Sequence, residues 1–172
     1  RRGADANAVE PMREYQTPRG QRATFQLADG TRLLLAAESR LRVPAKYGRG
    51  LREVHLEGEA LFEVVRDTTR PFRVRARNAI VEVLGTTFDV RAYPEDTTVA
   101  VAVAEGSVAL GPLDRPSADA RDSSGTAQGL ILRAGEAGTL DTEGRLTISP
   151  NGDAAGYLAW IEGRLPFVET PL

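Results

Sequence analysis

From Gln21 onward, apolar and polar residues alternate with a period of two, the signature of strands that bury one face. Ala23, Phe25 and Leu27 share a face, Asp29-Gly30 supplies the positive φ of a tight turn, and Leu33 and Leu35 resume the pattern, which predicts a hairpin. Val54 and Leu56 run into Glu57-Gly58, read as a turn, after which Ala60, Phe62 and Val64 lie on one face and Leu61 and Val65 on the other. Phe72, Val74 and Ala76 alternate with Arg73, Arg75 and Arg77. Val81 and Val83 lead through Gly85 to Phe88, Val90 and Ala92. Val99, Val101 and Val103 alternate with alanines before Glu105-Gly106 turns the chain into Val108 and Leu110. Phe62, Phe72 and Phe88 fall on apolar sides and are expected to be buried together.

Gly30, Gly48, Gly58, Gly85, Gly106, Gly135 and Gly144 separate these short β-branched runs, the spacing of an all-β sandwich, barrel or solenoid, and no strict repeat accompanies them. The expected fold is all-β, a twisted two-sheet solenoid-like or sandwich domain of short strands with one short C-terminal helix. Asp153 is the candidate N-cap of that helix, Tyr157, Trp160 and Ile161 stand at helical spacing, and Gly163 stops it. Residues 1–16 read as a linker without apolar period, 17–163 as the β domain, and 164–172 as the start of a further domain. Gly111 to Gly129, with Pro112, Pro116, Asp119, Asp122, Ser123 and Ser124, reads as a surface insertion dispensable for folding. Because it opens at Arg1 in place of Met, the chain reads as a piece of a longer protein.

Composition narrows the function classes. Lys plus Arg number 22 against 24 Asp plus Glu, for a formal net charge of −2, so no global basic field favours bulk nucleic-acid binding. The absence of Cys excludes disulfides, thiolate metal sites and cysteine nucleophiles. The longest unbroken apolar run, Val99 to Ala104, falls far short of the roughly 18 residues that span a bilayer.

Candidate chemistry is sparse. His55 is the sole imidazole, so no histidine pair or triad can be assembled, and it reads as a solvent-facing strand residue. Glu57, Glu59 and Glu63 could pair as carboxylates, but Gly58 between the first two would splay them, which favours a structural role. Leu84-Gly85-Thr86-Thr87 lacks the lysine and glycine spacing of a phosphate loop and reads as a turn or bulge. Arg73, Arg75 and Arg77 stack on one strand face, either as a solvated face that deters edge pairing or as a surface for an acidic partner. Trp160 reads as a residue docking the helix, with partner binding as the alternative. No catalytic set, cofactor site or metal site is expected.

Several blocks resemble the FecR family, periplasmic regulatory portions of anti-sigma factors in bacterial cell-surface signalling. They begin with Gly20-Gln21-Arg22-Ala23-Thr24, Leu27-Ala28-Asp29-Gly30-Thr31 and Ser39-Arg40-Leu41, and continue through Arg52 to Val64, Arg70-Pro71-Phe72, Val83 to Tyr93 and Glu105-Gly106-Ser107-Val108. Ala159-Trp160-Ile161-Glu162-Gly163, Leu165-Pro166-Phe167 and Thr170-Pro171-Leu172 close the pattern.

The resemblance implies a non-enzymatic relay. In it, the signalling domain of a TonB-dependent outer-membrane transducer is sensed in the periplasm by a single-pass inner-membrane protein. A sigma factor is then controlled through a cytoplasmic segment outside this chain. The transducer is expected to contact mainly residues beyond Leu172, and Arg73, Arg75, Arg77, Trp160 and Phe167 are the candidate partner-binding residues. A second expectation, from another class, is a periplasmic glycan- or cell-wall-binding module.

Overall fold

The computed structural model describes residues 11–50, 52–113, 129–149 and 154–162. Among them, two sheets share one strand. The first sheet runs in the order β1 (Met12–Gln16), β4 (Arg40–Pro44), β5 (Arg52–Glu63), β6 (Phe72–Ala76), β7 (Ala79–Val83), β10 (Ser107–Pro112) and β11 (Leu130–Arg133). The second runs β2 (Ala23–Gln26), β3 (Arg32–Leu35), β5 again, β8 (Thr87–Ala92), β9 (Thr98–Glu105), β12 (Ala137–Asp141) and β13 (Leu146–Ser149). Only β5 and β6 pair in parallel; the other ladders are antiparallel. The all-β class with one helix, α1 (Ala154–Glu162), is as expected.

β5 holds the two sheets together. Its first half pairs with β4 and β6, its second half with β3 and β8, and the handover falls at Gly58. Gly58 is therefore a bend inside one strand, not the turn expected from Glu57-Gly58. Its φ of +105° is strained for any residue with a side chain, and a Cβ there would lie 2.3 Å from Ser39 Oγ. The alternation stays in phase through the bend, so Val54, Leu56, Ala60 and Phe62 all face inward. Glu57 and Glu59 are indeed splayed: Glu57 is exposed over the first sheet and Glu59 is buried over the second.

One continuous core lies between the sheets. Val74, Val81, Leu110 and Leu132 enter it from the first sheet, and Leu33, Leu35, Val90 and Val101 from the second. Phe62 stacks on Phe88 with ring centroids 5.3 Å apart and tilts against Phe72 at 5.7 Å, and all three are fully buried, as their strand positions predict. The Asp29-Gly30 hairpin also forms, with Gly30 at φ +93° and Asp29 accepting from the Thr31 amide.

Among the described residues Arg52 is the one buried cation. It donates to Asp29, to the carbonyls of Val65 (2.7 Å) and Arg70 (2.8 Å), and lies over the Phe72 ring. Its five-donor fork serves several acceptors at once.

Three expectations change. Met12–Gln16, read as linker, pairs along its whole length with Arg40–Pro44; its side chains are mostly exposed, so a one-sided edge strand leaves no apolar period to read. Gly111 and Pro112, assigned to the insertion, complete β10 opposite Ile80 and Ala79. Residues 114–128 lie outside the described residues. The Glu105-Gly106 turn is a corner, carrying the chain from β9 in one sheet to β10 in the other.

Candidate functional site

Two outward surfaces carry polar groups in arrangements that strand alternation alone does not explain. The first lies over β4, β5 and β6. Sheet order makes Arg42, His55 and Arg75 direct cross-strand neighbours, and sets Arg40 opposite Glu57 in the next row. With Arg77, at φ +51° in the turn after β6, they line a cleft of about 380 Å³, into which Leu113 also reaches.

Carboxylates brace this cleft from its margins. Glu14 on β1 stands 3.3 Å from Nε of both Arg40 and Arg42, and Glu57 is 3.6 Å from Arg40 Nη1. Glu53 is 3.6 Å from His55 Nε2 and 3.8 Å from Arg75 Nη1. Arg77 donates to the carbonyls of Tyr93 and Asp96, which fixes its side chain. Partial burial, followed by the charge of Arg75, holds the His55 imidazole below its usual pKa despite Glu53. His55 is thus a half-buried member of a basic cleft, not a freely solvated strand residue.

The second surface is the outer face of the second sheet, where α1 docks. Small residues make room for it: Ala102 on β9 and Ala137 on β12 pack with Ala154, and Tyr157 and Leu158 lie against them. Trp160 then donates its indole N–H to Asp89 Oδ1 at 3.0 Å, while Arg22 covers the ring at 5.1 Å. Asp89 is 1% exposed, and its second oxygen has no partner among the described residues. Burial, followed by the neighbouring Glu59, pushes its carboxyl well above the usual range. Glu59 in turn meets Arg91 at 3.4 Å.

The sequence-derived candidates therefore separate. Arg75 and Arg77 join the cleft, whereas Arg73, on the same strand, is half-buried and held by Glu82 at 2.8 Å. Trp160 braces the helix through Asp89, with Arg22 over its ring. Phe167 and the Asp153 cap lie outside the described residues. Sequence reasoning missed Arg40, Arg42 and Asp89. The alternation Arg40-Leu41-Arg42-Val43 was a usable signal for the first two, since it repeats the pattern of the Arg73 strand.

The chain is similar to two crystal structures, each described as a candidate anti-sigma factor from Parabacteroides distasonis, at 2.50 and 1.65 Å resolution. Their TM-scores are 0.74 and 0.73 and their sequence identities 33% and 34%. The matches cover 89% and 88% of this chain but 66% and 65% of the others, so this chain spans just under two thirds of their length. Comparison with curated proteins gives no match. The family model described as FecR protein matches residues 13–109, which begin in β1, contain the whole basic cleft except Leu113, and end in β10. With the model covering more than half of the sequence and the same fold at one-third identity, the chain belongs to the FecR family.

Proposed function

We propose that this domain is the regulatory part of an anti-sigma factor, held in the periplasm as part of a single-pass inner-membrane protein. It relays engagement of a TonB-dependent outer-membrane transducer to a cytoplasmic sigma factor, and performs no catalysis. The observation that carries this reading is the shared fold, at one-third identity over most of the chain, with two candidate anti-sigma factors. A relay needs an element whose position differs between two states. The docking of α1 is suited to that role, because one indole hydrogen bond and a small alanine-lined contact hold it on the second sheet. In this reading the transducer's signalling domain is met mainly by residues C-terminal to Leu172, with Phe167 on the way to them.

The test is made in the full-length gene product, in its own host, with a reporter driven by the neighbouring sigma factor. Removing residues 17–163 should abolish the reporter's response to inducer, and Trp160→Ala should alter its amplitude. Alkaline phosphatase fused after the domain should be active, as it is only after export. A reporter response unchanged by the deletion would remove the relay, and an inactive phosphatase fusion would remove the periplasmic placement.

A further inference from the structure

The cleft over β4, β5 and β6 is not needed by the relay reading, which rests on fold and helix docking. Its lining holds Arg40, Arg42, Arg75 and Arg77 against Glu57, and with Glu14 and Glu53 at the border four guanidinium groups still outnumber three carboxylates, in a chain whose net charge is −2. Glu14 and Glu53 stand at its border and orient the arginines without filling the cleft. Arg40 Nε is buried without an aligned hydrogen-bond partner, and Arg75 reaches its nearest carboxylate only at 3.8 Å. These guanidinium groups retain donor capacity.

The spacing of the donors describes the ligand. Arg40 and Arg42 are two residues apart on β4, about 6.7 Å, which is the repeat of same-side residues on any extended chain. Arg75 stands two strands away from Arg42, about 9.6 Å at the backbone, with His55 between them. A compact anion such as phosphate needs donors that converge on one point, and Glu57 among these arginines would repel it. An extended chain can place separate carboxylates on separate guanidinium forks and pass a neutral residue over Glu57. We propose that this cleft docks an extended acidic segment of a partner protein, with carboxylates at alternate positions meeting Arg40 and Arg42 along β4 while Arg75, across His55, flanks the segment.

His55 provides the readout, because it is the chain's only histidine and its imidazole signals need no assignment. The charged groups facing it are Arg42 and Glu14 from β4 and β1, Arg75 from β6, and Glu53 and Glu57 from its own strand, with Arg40 and Arg77 at the rim. Burial first and the Arg75 charge second hold the imidazole's pKa down, and carboxylates arriving among these arginines offset the second. Docking should therefore raise its pKa, and binding should tighten as pH falls through the imidazole's titration range.

The experiment titrates this chain with a synthetic peptide alternating Glu and Thr, and with one of the same composition whose Glu residues are contiguous. Imidazole resonances are followed by NMR. Saturable binding of the alternating peptide with an upward His55 pKa shift, several-fold tighter than the contiguous one, is expected. The double variant Arg42→Gln/Arg75→Gln should bind about tenfold more weakly, while Arg73→Gln, whose partner is Glu82, should bind as the parent does. Far-UV spectra check that these changes leave the fold intact. Equal binding by the double variant, an unmoved His55, or no preference for alternation overturns the proposal. So does inorganic phosphate moving His55 as far as the peptide, which makes the cleft a small-anion pocket. Capture by phosphatidylglycerol vesicles that requires Arg42 and Arg75, without peptide binding, overturns it in favour of a membrane surface.

Discussion

Arg52 Nη1 lies 3.1 Å from Asp29 Oδ2, and both side chains are buried. The pair ties the first hairpin to the start of the strand shared by the two sheets, and the same guanidinium holds the carbonyls of Val65 and Arg70. Removing it leaves a buried carboxylate without its cation, held by Thr31, and takes this donor from two carbonyls. Arg52→Met is expected to cost about 3–5 kcal/mol in urea unfolding. Arg52→Lys should recover little of this, since one ammonium cannot reach carbonyls on opposite sides of a planar fork. A lysine variant as stable as the parent would show that charge alone is at work.

Phe88 fills the centre of the core against Phe62. Phe88→Ala should lower stability by about 3–5 kcal/mol, through lost transfer energy and the cavity left between two sheets that cannot collapse onto it. Calorimetry checks this, and an unchanged melting temperature would contradict the register of Phe88 with Phe62.

At Gly58 the backbone and the neighbour act together. Gly58→Ala forces a side chain into φ +105° and against Ser39, whose Oγ accepts from the Glu59 amide at 2.9 Å. A loss of about 1–3 kcal/mol or more follows from backbone strain alone. Urea unfolding checks this, and a Gly58→Ala variant as stable as the parent would contradict the bend at φ +105°.

Asp89 links helix docking to pH. Its pKa in the folded state is raised by burial and Glu59, against the Trp160 N–H, which favours the ionised form, so its proton stabilises the fold, fully below the ordinary carboxylate pKa of about 3.9. That contribution is lost as pH rises through the raised value, with Glu59, Arg91 and Arg22 as the charged neighbours. Trp160 is the only tryptophan, so its fluorescence reports the docking. Asp89→Asn, which stays neutral and keeps an oxygen for the indole N–H, should flatten the pH dependence over this range. If parent and variant titrate identically, Asp89 is not the controlling group.

Residues 114–128 connect β10 to β11, whose facing ends Leu110 and Leu130 are register partners. Joining Leu113 to Gly129 through a short Gly/Ser link should therefore preserve the far-UV spectrum and melting behaviour. Extending the deletion into Gly111 and Pro112 should destabilise, because those residues pair with β7.

Period-two alternation was sufficient to place the Asp29-Gly30 hairpin and to bring Phe62, Phe72 and Phe88 into one core, because both depend on local pattern and a shared inner face. The strand at Met12–Gln16 was not legible: its signal lies in the partner Arg40–Pro44, not in its own exposed side chains. Gly58 read as a turn because a positive φ serves a bend and a turn equally. The basic cleft joins Arg40 and Arg42 to Arg75 across some thirty residues, and the order β4–β5–β6 that does so is a tertiary choice no local window contains. Asp89 shows the same limit. It occupies an outward strand position, and only the returning helix makes that position dry.

The strand shared by both sheets also sets a distance. Glu57 lines the cleft and Glu59 neighbours the helix dock through Asp89, yet they are two residues apart, about 6.7 Å along one rigid backbone. The cleft and the helix dock are thus carried by neighbouring residues of one strand, on either side of the bend at Gly58, and a displacement of β5 at one would be felt within two residues at the other.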